Sequence, residues 1–126
     1  MALTISTHKT KDVLVLELSG KLTSTDPVGG LRDLVRDLLS DGNRAFVLNL
    51  TNVSYIDSTC LGQIVATYVS ARKKHGHVVL LTPTPRAEHL LHIAKLDTVF
   101  ELYEDEATAV EAVAKEVAAP PAGARE

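Results

Sequence analysis

The chain lacks the residue types that mark several common protein classes. It has 126 residues with one cysteine and no tryptophan, so an internal disulfide is excluded. No uncharged apolar run reaches the roughly 18 residues that cross a bilayer. The first residues lack the charged start and apolar segment of a signal peptide. We therefore expect a cytoplasmic protein that does not insert directly into a membrane.

Signals for nucleic-acid, nucleotide and metal binding are also missing. The chain has 13 Lys and Arg against 16 Asp and Glu, mixed along its length, so no basic stripe for a nucleic acid forms. Neither G-x-x-x-x-G-K nor G-x-G-x-x-G occurs. His89 and His92 are one helical turn apart without further ligands, and His75 and His77 flank Gly76 at a predicted helix end, in solvent. We predict no cofactor, no metal and surface histidines.

The apolar residues that are present predict the fold. They make up 45% of the chain, enough for one core, and their changing periodicity predicts the order ββαβαβαβα. This order indicates a single α/β domain, a mixed sheet of about five strands packed with about four helices. The near-continuous apolar run A-F-V-L-N-L predicts a central strand over Phe46 to Leu50, and Leu3 to His8 lies at or near an edge. We place the domain at 1–118 and a disordered tail at 119–126.

The second helix follows the central strand. Its apolar spacing predicts a helix from about Ser58 to Lys74, with basic residues favourably placed near its C-terminus. The residues expected to face the core are Leu61, Ile64, Val65, Tyr68 and Val69.

A polar segment, Y-I-D-S-T-C-L-G, stands where this helix begins. The simplest interpretation is a helix cap, because Asp57 and Ser58 are both good N-cap residues. A nucleophile needs a base oriented by a third group, and neither a G-x-S-x-G elbow nor a histidine partner is visible, so we predict no catalytic residue. A hydroxyl at a helix N-terminus could instead carry a phosphate, since the helix end favours an anion.

The segment resembles the signature of STAS domains, the anti-sigma factor antagonists of bacteria. Their usual form is an apolar strand, a short turn and then D-S-[ST]-G-L-G, and here F-V-L-N-L-T-N-V precedes Y-I-D-S-T-C-L-G. The similarity continues through L-S-G-K-L-T, V-V-L-L-T and I-A-K-L-D-T-V-F-E-L-Y-E-D-E-A-T-A-V. It covers roughly Leu3 to Val117.

The resemblance implies a binding switch and not an enzyme. In that family the serine after the aspartate is phosphorylated by a partner that is both anti-sigma factor and Ser/Thr kinase, and only the unphosphorylated form binds it and frees the sigma factor. Ser58 matches this serine, with Thr59 as second choice. A phosphatase for the phosphorylated form is a further implied partner. The implied partner-binding residues are Asp57, Ser58, Thr59, Cys60, Gly62 and Thr23.

Two positions depart from the family pattern. Cys60 stands where glycine is usual, so its side chain either hinders a kinase or sits in the first helical turn at no cost, and a redox role is a further option. Thr23 stands where an acidic residue is common. The alternative function is a STAS scaffold in a signalling assembly, or an accessory subunit of a transporter, without phosphorylation.

Overall fold

The computed structural model describes residues 4–22, 29–56, 58–81, 85–93, 95 and 100–118. The predicted element order and the α/β class are confirmed, with five strands and four helices in these ranges. The proposed tail at 119–126 lies outside the described residues. The elements are β1 (Thr4–Thr10), β2 (Val13–Leu22), α1 (Gly29–Ser40), β3 (Ala45–Ile56), α2 (Ser58–Lys73), β4 (His77–Leu81), α3 (Pro85–Ile93), β5 (Leu102–Tyr103) and α4 (Glu106–Ala118).

The five strands form one mixed sheet in the order β1-β2-β3-β4-β5. β1 runs antiparallel to β2, and the remaining neighbours are parallel. β3 is central, as predicted, and Phe46 and Leu48 on it are fully buried. β1 forms one edge, which confirms the predicted place of the first strand. Lys11 and Asp12 make the tight hairpin turn with positive φ values of 53° and 65°.

Helices cover both faces of the sheet. One hydrophobic cluster joins α1 and α2 to one face, and a second joins α4 to the other. Side chains alternate along β3 because successive strand residues point to opposite faces, so Leu48 belongs to the first cluster and Val47 to the second. This alternation explains why the first four residues of the central strand, Ala45 to Leu48, are all apolar and buried.

β3 extends well beyond its pairing with β4. β4 pairs with β3 only from Ala45 to Asn49, whereas β2 pairs with it as far as Ile56. Among the described residues, the C-terminal half of β3 therefore has a neighbouring strand on one side only. β2 follows it through two register shifts, one of which lies beside Gly20 with φ of 107°, so Leu22 comes to lie opposite Ile56.

The predicted inward face of α2 is confirmed in part, since Val65 and Tyr68 are partly buried against the core; the side chain of Leu61 lies outside what the structure describes. Ile64 is buried as expected, but Val69 is 44% exposed, and Thr67 and Ala71 are buried instead. Each helical residue turns about 100°, so a residue five positions after Ile64 lies about 140° away from it around the helix. The helix thus packs through a row of residues spaced by three and four positions, and Val69 falls outside this row.

Asp105 caps the last helix. Its Oδ2 accepts hydrogen bonds from the backbone N–H of Thr108 at 2.9 Å and from the Thr108 hydroxyl at 3.0 Å. These bonds, the backbone one first, lower the pKa of the Asp105 carboxyl from its ordinary value of 3.8. The charged carboxylate therefore satisfies a free N–H group of the first turn of α4.

Candidate functional site

The candidate site lies where β3 ends and α2 begins. β3 ends at Ile56 and α2 begins at Ser58, so the predicted helix start is confirmed. Parallel pairing sets Leu22 opposite Ile56. Thr23 and Asp57 directly follow these two residues in the sequence, although both predicted site residues lie outside the described residues.

The start of α2 favours a negative charge. Helix N-termini carry unpaired N–H groups and a partial positive charge. α2 has no acidic residue in its first turn, and Arg72 and Lys73 occupy its last turn. Ser58, Thr59 and Cys60 belong to this first turn by their backbone, while their side chains lie outside what the structure describes. An anion attached at this end would be favourably placed.

Gly62 lies on the surface of the same helix. A Cβ atom added there would meet nothing within 4 Å, so no contact with the described residues requires a glycine. The backbone of α2 is therefore accessible to another molecule at this position, close to the predicted partner-binding residues.

The prediction that all histidines are on the surface is wrong for His77. His75, His89 and His92 are exposed, whereas His77 is buried. The turn after α2 is tight, because Gly76 N–H donates to the Ala71 carbonyl at 2.7 Å. His77 N–H then donates to the Arg44 carbonyl at 2.8 Å, which makes His77 the first residue of a strand that is buried along its length.

Two histidines that contact carboxylates, His8 and His77, lie away from the start of α2. His77 pairs with Ala45, at the opposite end of β3 from Ile56. His8 contacts Glu17 at 3.6 Å and Glu106 at 3.0 Å, and its strand partner Val15 pairs with Val47, also in the first half of β3. Neither histidine is placed by its strand to serve as a base for a hydroxyl at Ser58.

Comparison with known proteins identifies the family. Residues 4–109 match the STAS domain family. The chain belongs to this family. A curated STAS relative, the anti-sigma-B factor antagonist of Staphylococcus aureus strain NCTC 8325, is 30% identical over 104 residues, which are 82% of this chain and 95% of the relative.

Two further comparisons agree with this assignment to the STAS family. The anti-sigma F factor antagonist of Paenibacillus polymyxa is 27% identical over 87% of this chain and 94% of its own length. The structure of the Bacillus cell fate determinant SpoIIAA in its phosphorylated form superimposes with a TM-score of 0.69 at 20% identity, covering 87% of this chain and 99% of that one, which shows the shared fold. Within the described part of this chain, every helix is too short or too polar to cross a membrane.

Proposed function

We propose that this STAS domain protein is an anti-sigma factor antagonist, and that phosphorylation of Ser58 controls its binding to an anti-sigma factor with Ser/Thr kinase activity. The observation that carries the proposal is the start of α2 at Ser58, directly beyond the central strand. Relatives of similar length bear the name of anti-sigma factor antagonists. The unphosphorylated protein binds its partner in the cytoplasm and so releases a sigma factor.

The electrostatics of a helix start suit such a switch. A phosphoryl group adds about −1.5 to −2 charges and three acceptor oxygens, and the N–H groups at the start of α2 stabilise it without disturbing the core. In the complex with the partner, however, the same phosphoryl group is destabilising. An added charge next to Asp57 must be desolvated in the interface and is repelled by any acidic partner group, which costs several kcal/mol.

The proposed interface consists of Ser58 and residues that adjoin the ends of two neighbouring strands. Asp57, Thr59, Cys60 and Gly62 flank it along the chain, and Thr23 follows the end of β2. Gly62 supports this assignment because it is exposed and has space above its α-carbon. Thr59 is the second candidate acceptor, and a phosphatase returns the protein to its binding form.

The first prediction tests Ser58 directly. The protein is incubated with the kinase from its own organism and ATP, and the phosphate is mapped by mass spectrometry. We expect it on Ser58 in wild type and in Thr59→Ala, the matched control. Ser58→Ala should lose the phosphate and keep partner binding, because the hydrogen bond of a single hydroxyl contributes only about 1 kcal/mol. Ser58→Asp should weaken binding by more than tenfold, since a second carboxylate joins Asp57.

Other outcomes separate the alternatives. Phosphate on Thr59 alone would move the switch by one residue. A complete lack of phosphate, together with unchanged partner binding by Ser58→Asp, would contradict the antagonist and favour a scaffold in a signalling assembly or an accessory subunit of a transporter. Partner binding is measured by titration calorimetry with the purified partner, and phosphorylation by mass spectrometry. The antagonist role and its control through Ser58 therefore have separate readouts.

A further inference from the structure

Three potential metal ligands meet at the edge of the sheet away from the start of α2. His77 begins β4, Glu101 precedes β5 and Glu116 belongs to α4. One ligand atom from each of the three lies within 4.8 Å of the other two. Nε2 of His77 is 3.7 Å from Oε2 of Glu101. The imidazole and two carboxylates therefore point toward a common centre.

The imidazole is buried with one nitrogen unsatisfied. The His77 side chain is only 9% exposed, and its Nε2 has no hydrogen-bond partner among the described residues. A buried polar atom without a partner is destabilising, because it has lost its hydrogen bonds to water. At 3.7 Å the Glu101 carboxylate is too far away to accept a hydrogen bond of normal length. Nε2 of His77 is therefore a buried nitrogen that makes no hydrogen bond to the described residues.

Surrounding side chains already orient two members of the cluster. The Tyr103 hydroxyl donates to Oε1 of Glu101 at 3.0 Å, which leaves Oε2 facing the histidine. The Tyr68 ring packs edge-on against the imidazole with ring centroids 6.4 Å apart. Outer contacts of this kind hold metal ligands in place, and their loss typically weakens metal binding about 10- to 100-fold.

We propose that His77, Glu101 and Glu116 bind a divalent d-block cation, with Zn²⁺ as the best match. Zinc takes nitrogen and carboxylate oxygen ligands at about 2.0–2.2 Å, and sites with three protein ligands leave a fourth position for water. Two such bonds at a tetrahedral angle put the ligand atoms about 3.3 Å apart, so the gap between His77 and Glu101 has to close only slightly. Two carboxylates also balance the charge of the ion.

Arg72 opposes this binding. Its Nη1 lies 3.2 Å from Nδ1 of His77, and a guanidinium can only donate, so this contact favours the neutral tautomer with its proton on Nε2. Metal binding needs the lone pair of Nε2, and the proton must move to Nδ1, where it would face the Arg72 donor. Arg72 is exposed in the last turn of α2 and can turn away into solvent. Its removal should therefore strengthen the site.

The second prediction is tested by titrating the full chain with ZnCl₂ near neutral pH in a calorimeter. Glu101→Gln and Glu116→Gln should each weaken Zn²⁺ binding about tenfold or more, and glutamine at 101 still accepts from Tyr103. Arg72→Gln should tighten binding several-fold, because an amide oxygen can accept the proton on Nδ1. These positions are exposed, so the variants fold, whereas a change at buried His77 risks unfolding.

Two control variants localise the effect. Glu106→Gln changes the cluster of His8, Glu17 and Glu106, whose histidine is exposed, and Glu111→Gln removes another surface carboxylate from α4. Both should leave the affinity unchanged, and Co²⁺ should shift the NMR signals of the His77 ring more than those of His8 or His89. The proposal is overturned if Zn²⁺ does not bind, if Glu101→Gln and Glu116→Gln bind it as wild type does, or if the largest shifts are at another histidine.

Discussion

Gly62 and Gly76 differ in what surrounds their α-carbons. Gly62 lies on the exposed side of α2, where a Cβ atom would meet open space. Gly76 is buried in the turn after the helix, and a Cβ atom there would lie 2.9 Å from the Arg44 carbonyl oxygen and 3.1 Å from that of Ala71. The first glycine is dispensable for folding, and the second is required by its neighbours.

The third prediction compares alanine at these two glycines. Gly62→Ala should raise the free energy of unfolding by about 0.5–1 kcal/mol, because alanine loses less backbone freedom in a helix. Gly76→Ala should lower it by about 1–3 kcal/mol, since backbone atoms must move apart. Urea unfolding of both variants measures the difference. A loss of stability in Gly62→Ala equal to that in Gly76→Ala would contradict the open surface at Gly62.

A single residue also shows what the sequence could not predict. The sequence predicts that His77 lies at a solvent-exposed helix end. The tight turn at Gly76 instead makes it the first residue of a buried strand. Its acidic neighbours, Glu101 and Glu116, are far away in the sequence and meet it only because β5 and α4 pack beside β4. No local spacing could have indicated the proposed cation site.

At the scale of the element, α4 depends on its cap. The Asp105 carboxylate holds the first turn through Thr108, and its pKa is lowered by the same hydrogen bonds. A lowered pKa in the folded state means that the contribution to stability is complete above the unfolded-state pKa and is lost as the pH falls through the folded-state value. The cap should therefore weaken only in acid, below about pH 4.

The fourth prediction replaces this cap. Asp105→Ala should destabilise the protein at neutral pH, since an N–H of the first turn loses its acceptor. Asp105→Asn keeps a neutral acceptor, so its contribution should not change with pH. Thermal unfolding from neutral to acidic pH compares the three proteins. An advantage of wild type over Asp105→Asn that grows as the pH falls would be the wrong sign and would rule out this account.

The start of α2 was predictable, and its buried face was predictable only in part. Asp57 and Ser58 mark a helix start through capping chemistry that acts within a few residues. Which side of the helix is buried depends on α1 and the sheet, which the helix meets only after folding. Apolar spacing therefore predicted that Val69 faces inward, whereas Thr67 and Ala71 are the buried residues and Val69 is exposed.

At the scale of the whole molecule, the two hydrophobic clusters share one sheet. β3 contributes Leu48 to one and Val47 to the other, so damage to either face should destabilise the same cooperative unit. The central strand was predictable for this reason, because a strand covered on both faces carries a near-continuous apolar run, as Ala45 to Leu48 do here.

The fifth prediction uses the same substitution at a buried and an exposed valine. Val47→Ala should lower the free energy of unfolding by about 1.5–3 kcal/mol, from lost burial and the cavity left behind. Val69→Ala, on the exposed side of α2, should change it by less than about 0.5 kcal/mol. Guanidinium unfolding should show a lower midpoint for Val47→Ala with an unchanged slope. Equal effects at both valines would contradict the assigned faces.

The one-sided pairing of the C-terminal half of β3 has a consequence for local unfolding. Regions with fewer sheet hydrogen bonds open at a lower free-energy cost than the global transition. The residues from Leu50 to Ile56 pair with β2 alone in the described structure. Leu50 and Val53 are held in the first hydrophobic cluster, so only the residues after Val53 can separate while Ala45 to Asn49 stay paired on both sides. Ser58 follows the end that opens first. The domain can thus adapt its proposed switch region to a kinase or a partner without unfolding its core.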